Sequence, residues 1–553
     1  MRYHKNVPGY YVENFGCRAT QADGAALERQ FEELGLSRAS NSSQAAIVVL
    51  NTCTVTAAAD QDARAAIRRI QRRNPEASIV VTGCYAQRAP AEIASLPGVT
   101  HVIGNSHKHQ LAEIVGATAD SESVLDSGWR SASSAAMEPP TPSRALAPGG
   151  RAFIPVANLS APAGPPKPEA ERPIFVSDIF AHTELLAAPV FDAPNERTRP
   201  NLKIQDGCDN RCSFCVIPYV RGQSRSLPPD RIIGEVNALV DAGYREIVLS
   251  GINLGRWGRD LGPQAPDLRP RTPDLSPQPS ALSQTPASGV RGLRSDAAFQ
   301  KLESRSRDPR FEDLIRAILA ETSIEKLRIS SVEPMDWTDD LIVLVASSAR
   351  IAKHAHVPMQ SASDAVLRRM HRKYRPWHYR EKIEKIHAAM PTAAIGADVM
   401  VGFPGETDAE FEATRRMVED LPFTYLHVFT YSARPGTPAA SLPNQVPVRV
   451  ARERNRVLRE LAADKKLAFM RSFVGKEIEA ITLKSECGAG ECGAGTPARE
   501  SRPAEFTEAL TDNYLKLHLK GRHQPNRWLR AQVEDVIDGA LEGAAKHADS
   551  PSS

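Results

Sequence analysis

Two closely similar segments, AAIVVLNTC (45–53) and ASIVVTGC (77–84), constrain this chain more than any other feature. Each is a short apolar run of the buried-strand type that stops at a cysteine. A helical pattern over 58–73 separates them. An earlier run, YYVENF, leads into Gly16 and Cys17 and is followed by helically spaced Ala25, Leu27, Phe31 and Leu34, ending at Gly35. Strand–helix–strand alternation predicts a parallel sheet, because every crossover returns the chain to the same edge. In such sheets the working site lies beyond the carboxyl ends of the strands. Cys17, Cys53 and Cys84 each follow a strand, so three cysteines far apart in sequence should meet on one edge.

A second alternation occupies the middle of the chain. NLKIQ, EIVLS, KLRISS, HAHVP, AIGADVMVGF and YLHVFTY read as strands, with helices around 230–242, 311–320, 339–347, 363–370, 379–389 and 408–421. The last helix opens on a capping box, Thr407 with Glu410. Six such units predict a partial (β/α)6 barrel, short of the eight needed for closure. A basic helix follows at 447–473, and short strands over 474–541 suggest a small C-terminal β-barrel before a tail at 542–553. The fold class is α/β: a parallel domain at 1–117, the partial barrel at 200–446 and the small barrel. Pro- and Ala-rich sequence at 118–199 reads as a linker or insertion, and a low-complexity insertion falls at about 262–310. A third insert, SECGAGECGAGTPARES, is a local duplication carrying Cys487 and Cys492.

The net charge of +3 announces no nucleic-acid partner, so any such contact must rest on local patches. The first residues lack the pattern of a signal peptide, and no run of about 18 apolar residues suggests a membrane span. Eight cysteines at these spacings suit a reducing compartment, where clustered thiols bind metal or do chemistry. Three of them, Cys208, Cys212 and Cys215, crowd into GCDNRCSFC directly after the first barrel strand. Zinc wants four ligands and no fourth stands nearby, while disulfides need pairs. A [4Fe–4S] cluster fits better, because three thiolates leave one iron open.

GCDNRCSFC resembles the cluster loop of radical S-adenosylmethionine enzymes. With GC at Cys17, NTC at Cys53 and GC at Cys84, the chain is similar to the methylthiotransferases, and the resemblance covers nearly everything outside the insertions. KIQDGC, NTCTVT, GCYAQ, GINLGRWGRDL, RISSVEPMDW and MVGFPGET resemble the branch acting on N6-threonylcarbamoyladenosine in tRNA. The resemblance implies two [4Fe–4S] clusters. Cys17, Cys53 and Cys84 would hold an auxiliary one. Cys208, Cys212 and Cys215 would hold the one that binds S-adenosylmethionine and generates a 5′-deoxyadenosyl radical. That radical would abstract hydrogen from carbon 2 of the adenine, where methylthio sulfur then adds. One departure is visible: Thr20 stands where family members often carry Asn.

The resemblance also implies S-adenosylmethionine contacts at Gly251, Asn253, Glu333, Gln360 and Ser361. The run RRMHRKYRPWHYR offers Arg368, Arg369, Arg372, Lys373, Tyr374, Arg375 and Trp377 for phosphate contact and stacking on unpaired bases. The C-terminal module resembles TRAM, a small RNA-binding barrel. The expected setting is a cytoplasmic monomer working on a tRNA anticodon stem-loop, without a membrane. Its electrons would come from a donor such as flavodoxin or ferredoxin, and the sulfur source is open. Rivals are the isopentenyladenosine branch, the ribosomal-protein branch and a non-catalytic, cluster-bearing RNA-binding protein. His354 and His356 read as packing or polar-face residues, without a zinc motif.

Overall fold

A computed structural model describes residues 9–119, 172–182, 185, 199–262, 309–484 and 506–546. Cys487, Cys492 and most of the expected insertions lie outside them. The first domain is a six-stranded parallel sheet of order β2-β1-β3-β4-β5-β6. Its strands are β1 (Gly9–Asn14), β2 (Ser37–Arg38), β3 (Ile47–Thr52), β4 (Ser78–Gly83), β5 (Val99–Gly104) and β6 (Ile174–Phe175). Apolar side chains fill both faces, as a parallel sheet requires. Val48, Leu50, Ile79 and Val81 pack on Ala63, Ile67 and Ile70 of the helix Ala57–Arg73. Tyr10, Val12, Val49 and Val80 pack oppositely, on Leu27 and Phe31 of the helix Arg18–Glu33.

β6 corrects the expected linker. It lies within 118–199, yet it pairs in parallel with β5. Arg172 just before it donates to the carbonyls of Ala94 and Leu96 at 2.5 and 2.6 Å. Two apolar residues after a proline are too few for periodicity to register.

The middle domain has β7 (Asn201–Asp206), β8 (Arg225–Ser226), β9 (Glu246–Gly251), β10 (Lys326–Ile329), β11 (His354–His356), β12 (Ala394–Val401) and β13 (Tyr425–Thr430). Sheets β10-β9-β7-β8 and β11-β12-β13 are joined by bridges Leu327 to Ile351 and Ser331 to His356. Six parallel strands therefore run β7-β9-β10-β11-β12-β13, with short β8 antiparallel at the edge. Among the described residues no pairing joins β13 to β7 or β8, so the barrel is open, as expected. Trp257, Phe311, Ile315, Trp337 and Ile383 fill the layer between strands and helices.

The N-terminal domain spans that opening. On one side Asp23 pairs with Lys203 of β7 and with Arg221. On the other, Asp60 pairs with Arg434, past the end of β13, and Ala57 N donates to Ser432 Oγ at 3.2 Å. The C-terminal strands β14 (Glu477–Thr482), β15 (Phe506–Thr511), β16 (Lys516–Lys520), β17 (Trp528–Ile537) and β18 (Ala540–Ala545) close a barrel in the order β14-β15-β16-β18-β17. This barrel seats on the amino end of the larger one. Arg328 Nη1 donates to Asp512 O at 3.1 Å, and Asn513 Nδ2 donates to Thr392 O at 2.9 Å. The turn between β15 and β16 thereby brings Tyr514 to 5.1 Å from His354, ring to ring. Among the described residues no helix is long and apolar enough to cross a membrane.

Candidate active site

Cys17 is the N-cap of the helix Arg18–Glu33, Cys53 follows β3 and Cys84 opens the short helix Cys84–Arg88 after β4. Two glycines let these ends meet. Gly16 has φ +103°, and a Cβ there would lie 2.5 Å from Cys53 Cβ and 2.9 Å from its Sγ. Gly83 has φ +99°, and its Cβ would lie 2.3 Å from Thr52 O. Only glycine tolerates both the dihedral and the approach. Burial pushes the Cys53 thiol up to about 12, and neighbouring Cys84 and Cys17 add to the rise.

The second triad lies on the loop after β7. Gly207, at φ +70°, passes where a Cβ would strike Gln223 O at 1.8 Å, and Cys208 N donates to Gly222 O at 3.0 Å. Ser213 anchors the loop through N to Met370 O at 3.1 Å and Oγ to Arg369 O at 2.7 Å. Arg372 Nη1 lies 3.4 Å from Cys212 Sγ, and its other end pairs with Glu333. Burial pushes the thiols of Cys208 and Cys215 up to about 11 and about 12. Burial of this kind disfavours the free thiolate, and a bound cation draws such cysteines to it.

Beside the first triad lies a buried charged network that patterning of the sequence missed. Arg221 donates to both carboxylate oxygens of Asp206 at 3.0 and 2.9 Å, to Asp23 Oδ2 at 3.0 Å and to Thr20 Oγ1 at 3.4 Å. Thr20 Oγ1 in turn sits 3.5 Å from Cys17 Sγ. Threonine thus supplies a polar contact to the cysteine edge where the family often has an amide. Burial alone would raise the Asp23 carboxyl, but Lys108, Lys203 and Arg221 reverse this and hold it at about 2. Burial opposes the charge of Arg221, yet Asp206, Cys84, Asp23 and Cys17 together raise it well above the ordinary arginine value. Arg221 is therefore a fixed cation beside the first triad, six residues after Cys215 of the second. Lysine inside a strand, as in NLKIQ, was the signal that could have flagged it.

The expected cofactor contacts divide. Gly251 ends β9, and buried Asn253 N donates to Gln205 Oε1 at 2.8 Å while its Nδ2 has no partner among the described residues. Gln360 holds φ +63°. Glu333 and Arg372 reach the cluster loop together. Ser361 is instead buried in the fold, with Oγ 3.3 Å from Thr414 Oγ1 and accepting from Ser363 N at 3.1 Å.

The expected RNA run is corrected more strongly. Tyr374 is buried and donates to the Met359 and Pro358 carbonyls, so it cannot stack on a base. Arg372 belongs to the cysteine loop. Arg369 pairs with Glu410, and Arg368 and Arg375 both pair with Asp364. Lys373 and Trp377 stay exposed. A basic run reads as a binding surface until acids from other elements neutralise it.

A third grouping was also missed. His356 Nε2 lies 3.4 Å from Asp398 Oδ1, and with His427 their ligand atoms all fall within 4.8 Å of one another on adjacent strands β11, β12 and β13. Neither cysteine triad gathers so tightly among the described residues. Thiolates on one zinc at ~2.3 Å would sit about 3.8 Å apart.

A radical S-adenosylmethionine barrel joined to a second cysteine triad is the class that this fold and donor set define. Residues 202–418 match the radical SAM superfamily, and 9–104 match the family described as uncharacterized protein family UPF0004. The threonylcarbamoyladenosine tRNA methylthiotransferase MtaB of Bacillus subtilis (strain 168) is 32% identical over 508 residues, covering 92% of this chain and 89% of that protein. Its namesake from Aquifex aeolicus (strain VF5) is 29% identical over 94% of this chain and 99% of its own. A tRNA-2-methylthio-N(6)-dimethylallyladenosine synthase of Novosphingobium aromaticivorans is 30% identical over 85% and 86%. The chain belongs to the radical S-adenosylmethionine methylthiotransferase family and resembles its threonylcarbamoyladenosine branch. Its cofactors are two [4Fe–4S] clusters and S-adenosylmethionine.

Proposed function

We infer that the chain adds a methylthio group to carbon 2 of N6-threonylcarbamoyladenosine beside the anticodon of tRNA. Cys17, Cys53 and Cys84 hold the auxiliary cluster, and Cys208, Cys212 and Cys215 hold the cluster that binds S-adenosylmethionine. The observation that carries this reading is two cysteine triads at strand ends of two domains that one buried network, Arg221 with Asp23 and Asp206, ties together, with Cys84 packed on Val216 and Val220 just after the second triad. When bound, the clusters and S-adenosylmethionine would supply the reducing electron, the hydrogen-abstracting radical and the methyl group, with the sulfur source open.

The chain's own residues supply placement. Arg372 and Ser213 fix the loop of the second triad, and Asn253, Gly251, Gln360 and Glu333 border the space beside it. The Asp23 and Asp60 ion pairs hold the first triad over the open barrel and exclude water from between the two. The division proposed is a cluster-bearing domain at 1–117, a catalytic barrel at 200–446 and a TRAM-like module at 474–541. An anticodon stem-loop then lies against exposed Lys373 and Trp377 and the small barrel, with its adenosine unstacked. The protein acts as a cytoplasmic monomer reduced by flavodoxin or ferredoxin.

Nucleoside mass spectrometry on tRNA from a host lacking its own methylthiotransferases tests this, with and without the chain expressed. A new methylthio group on threonylcarbamoyladenosine is expected. The group on isopentenyladenosine instead would move the assignment to the other branch. No new nucleoside from a chain shown to hold both clusters would overturn the tRNA reading.

A further inference from the structure

Opposite the cysteine edge, the inner faces of β11, β12 and β13 carry polar groups that the fold does not consume. Asp398 and His427 are register partners on β12 and β13, and His356 reaches them from β11. His356 Nε2 is buried with no hydrogen-bond partner, and no described residue donates a hydrogen bond to the Asp398 carboxylate beyond that 3.4 Å approach. His427 is exposed. Arg18, the residue after Cys17, enters the same space from the N-terminal domain and donates Nη2 to Tyr514 OH at 3.2 Å. Tyr425 and His354 stack beneath at 5.8 Å between centroids, and Tyr514 closes the floor.

Two imidazoles and one carboxylate could bind a divalent cation. A guanidinium facing them opposes a second positive charge, and it favours a ligand that brings its own anion together with donors. We propose that His356, Asp398 and His427, with Arg18, form the subsite for an amino-acid substituent on the target adenine. Its carboxylate lies against Arg18 and His427, and its hydroxyl and ureido N–H groups lie against Asp398. This deepens the methylthiotransferase reading and rests on it. Because Arg18 adjoins Cys17, a substituent held here keeps the adenine ring beside the first triad. An apolar isopentenyl group would strip water from Asp398 and His427 and leave the buried His356 nitrogen unpaired, which a site of this kind disfavours.

The test uses the enzyme loaded with both clusters and two anticodon stem-loop RNAs of one sequence, carrying threonylcarbamoyladenosine or plain adenosine. Methylthio product formation gives kcat and KM, and fluorescence anisotropy gives Kd. Wild type should favour the modified RNA. His427→Phe and Asp398→Asn should each lower kcat/KM for it by about 10- to 100-fold, chiefly through KM and Kd, and bring the two RNAs together. His427→Gln, which keeps a donor, should recover part of the preference. Iron content and the cluster EPR signals, unchanged from wild type, separate this from misfolding. Variants that keep the full preference would overturn the subsite while leaving the methylthiotransferase reading intact, as would a wild type that treats the two RNAs alike. One equivalent of zinc in the holoenzyme, lost in Asp398→Asn, would assign the trio to a metal and overturn it too. A third stem-loop RNA carrying isopentenyladenosine completes the set, and methylthio product on it with none on the threonylcarbamoyladenosine RNA would overturn the subsite and the branch together.

Discussion

Gly16 and Gly83 explain at residue scale why two cysteines of the first triad are written GC. Each glycine brings a strand end against Thr52 and Cys53 closely enough that a methyl group would collide. Gly16→Ala should therefore displace Cys17 and halve the iron retained per chain, with the signal of the second cluster preserved. Iron assay and EPR on the reconstituted variant check this, and full retention of both clusters would show that the approach relaxes. His354 gives a pH prediction. Burial first, then Arg328, His356 and Arg18, hold its imidazole well below the ordinary 6.5. The unfolded chain then binds the proton more readily, so stability is complete above about 6.5 and declines as pH falls below it. Urea unfolding should show wild type losing midpoint between about pH 7.5 and 5.5, and His354→Phe losing less. A parallel pH dependence in the two would remove His354 as its source. The cysteines were legible because few other roles fit their spacing. His427, Asp398 and Arg18 were not, since each is ordinary in its own segment.

Elements, more than single side chains, hold the second triad. The helix Asp364–Arg369 ends on the loop, and the backbone of Arg369 and Met370 receives Ser213. Arg372 then turns back onto Cys212, with its guanidinium 4.9 Å from the Tyr374 ring centroid. Arg372→Met removes the contact to Cys212 and leaves Glu333 unpaired. It should slow S-adenosylmethionine cleavage at least about 10-fold, the scale of one lost charge-assisted hydrogen bond. Chromatographic assay of 5′-deoxyadenosine measures it, and an unchanged rate would reduce Arg372 to packing. The helices and strands themselves were well legible. The capping box at Thr407 and Glu410 forms as patterned, with Glu410 N donating to Thr407 Oγ1 at 3.2 Å. The pairing of Arg368 with Asp364 is local, four residues back on one helix, but pattern could not reveal the partners of Arg369 and Arg372, because Glu410 and Glu333 arrive from elsewhere in the chain.

Over the whole molecule, the three folded parts enclose one space: barrel strands as its wall, the N-terminal sheet across its open side and the Tyr514 turn beneath. The stretch 263–308 lies outside the described residues, but its flanks are close. A Cβ on Gly258 would lie 2.4 Å from Pro309 O. Replacing 263–308 by a short Gly-Ser loop should then raise stability by no more than about 2 kcal/mol, since each halving of a loop lowers its closure cost by only about 0.6 kcal/mol. Urea unfolding and the tRNA assay check this, and a chain that loses its clusters on replacement would give the stretch a structural role. The sequence by itself determined the two parallel strand–helix series and the six cysteines at strand ends. Periodicity and chain reversal are local, and parallel sheets place strand ends together regardless of the details. Only the tertiary structure decided that Arg221 stands beside the first triad, that most of the basic run at 368–380 is already paired, and that His356, Asp398 and His427 share a space with Arg18. Those outcomes depend on which strand face turns inward and which domain covers the opening, and contacts over such separations leave no trace in the spacing of residues along the chain.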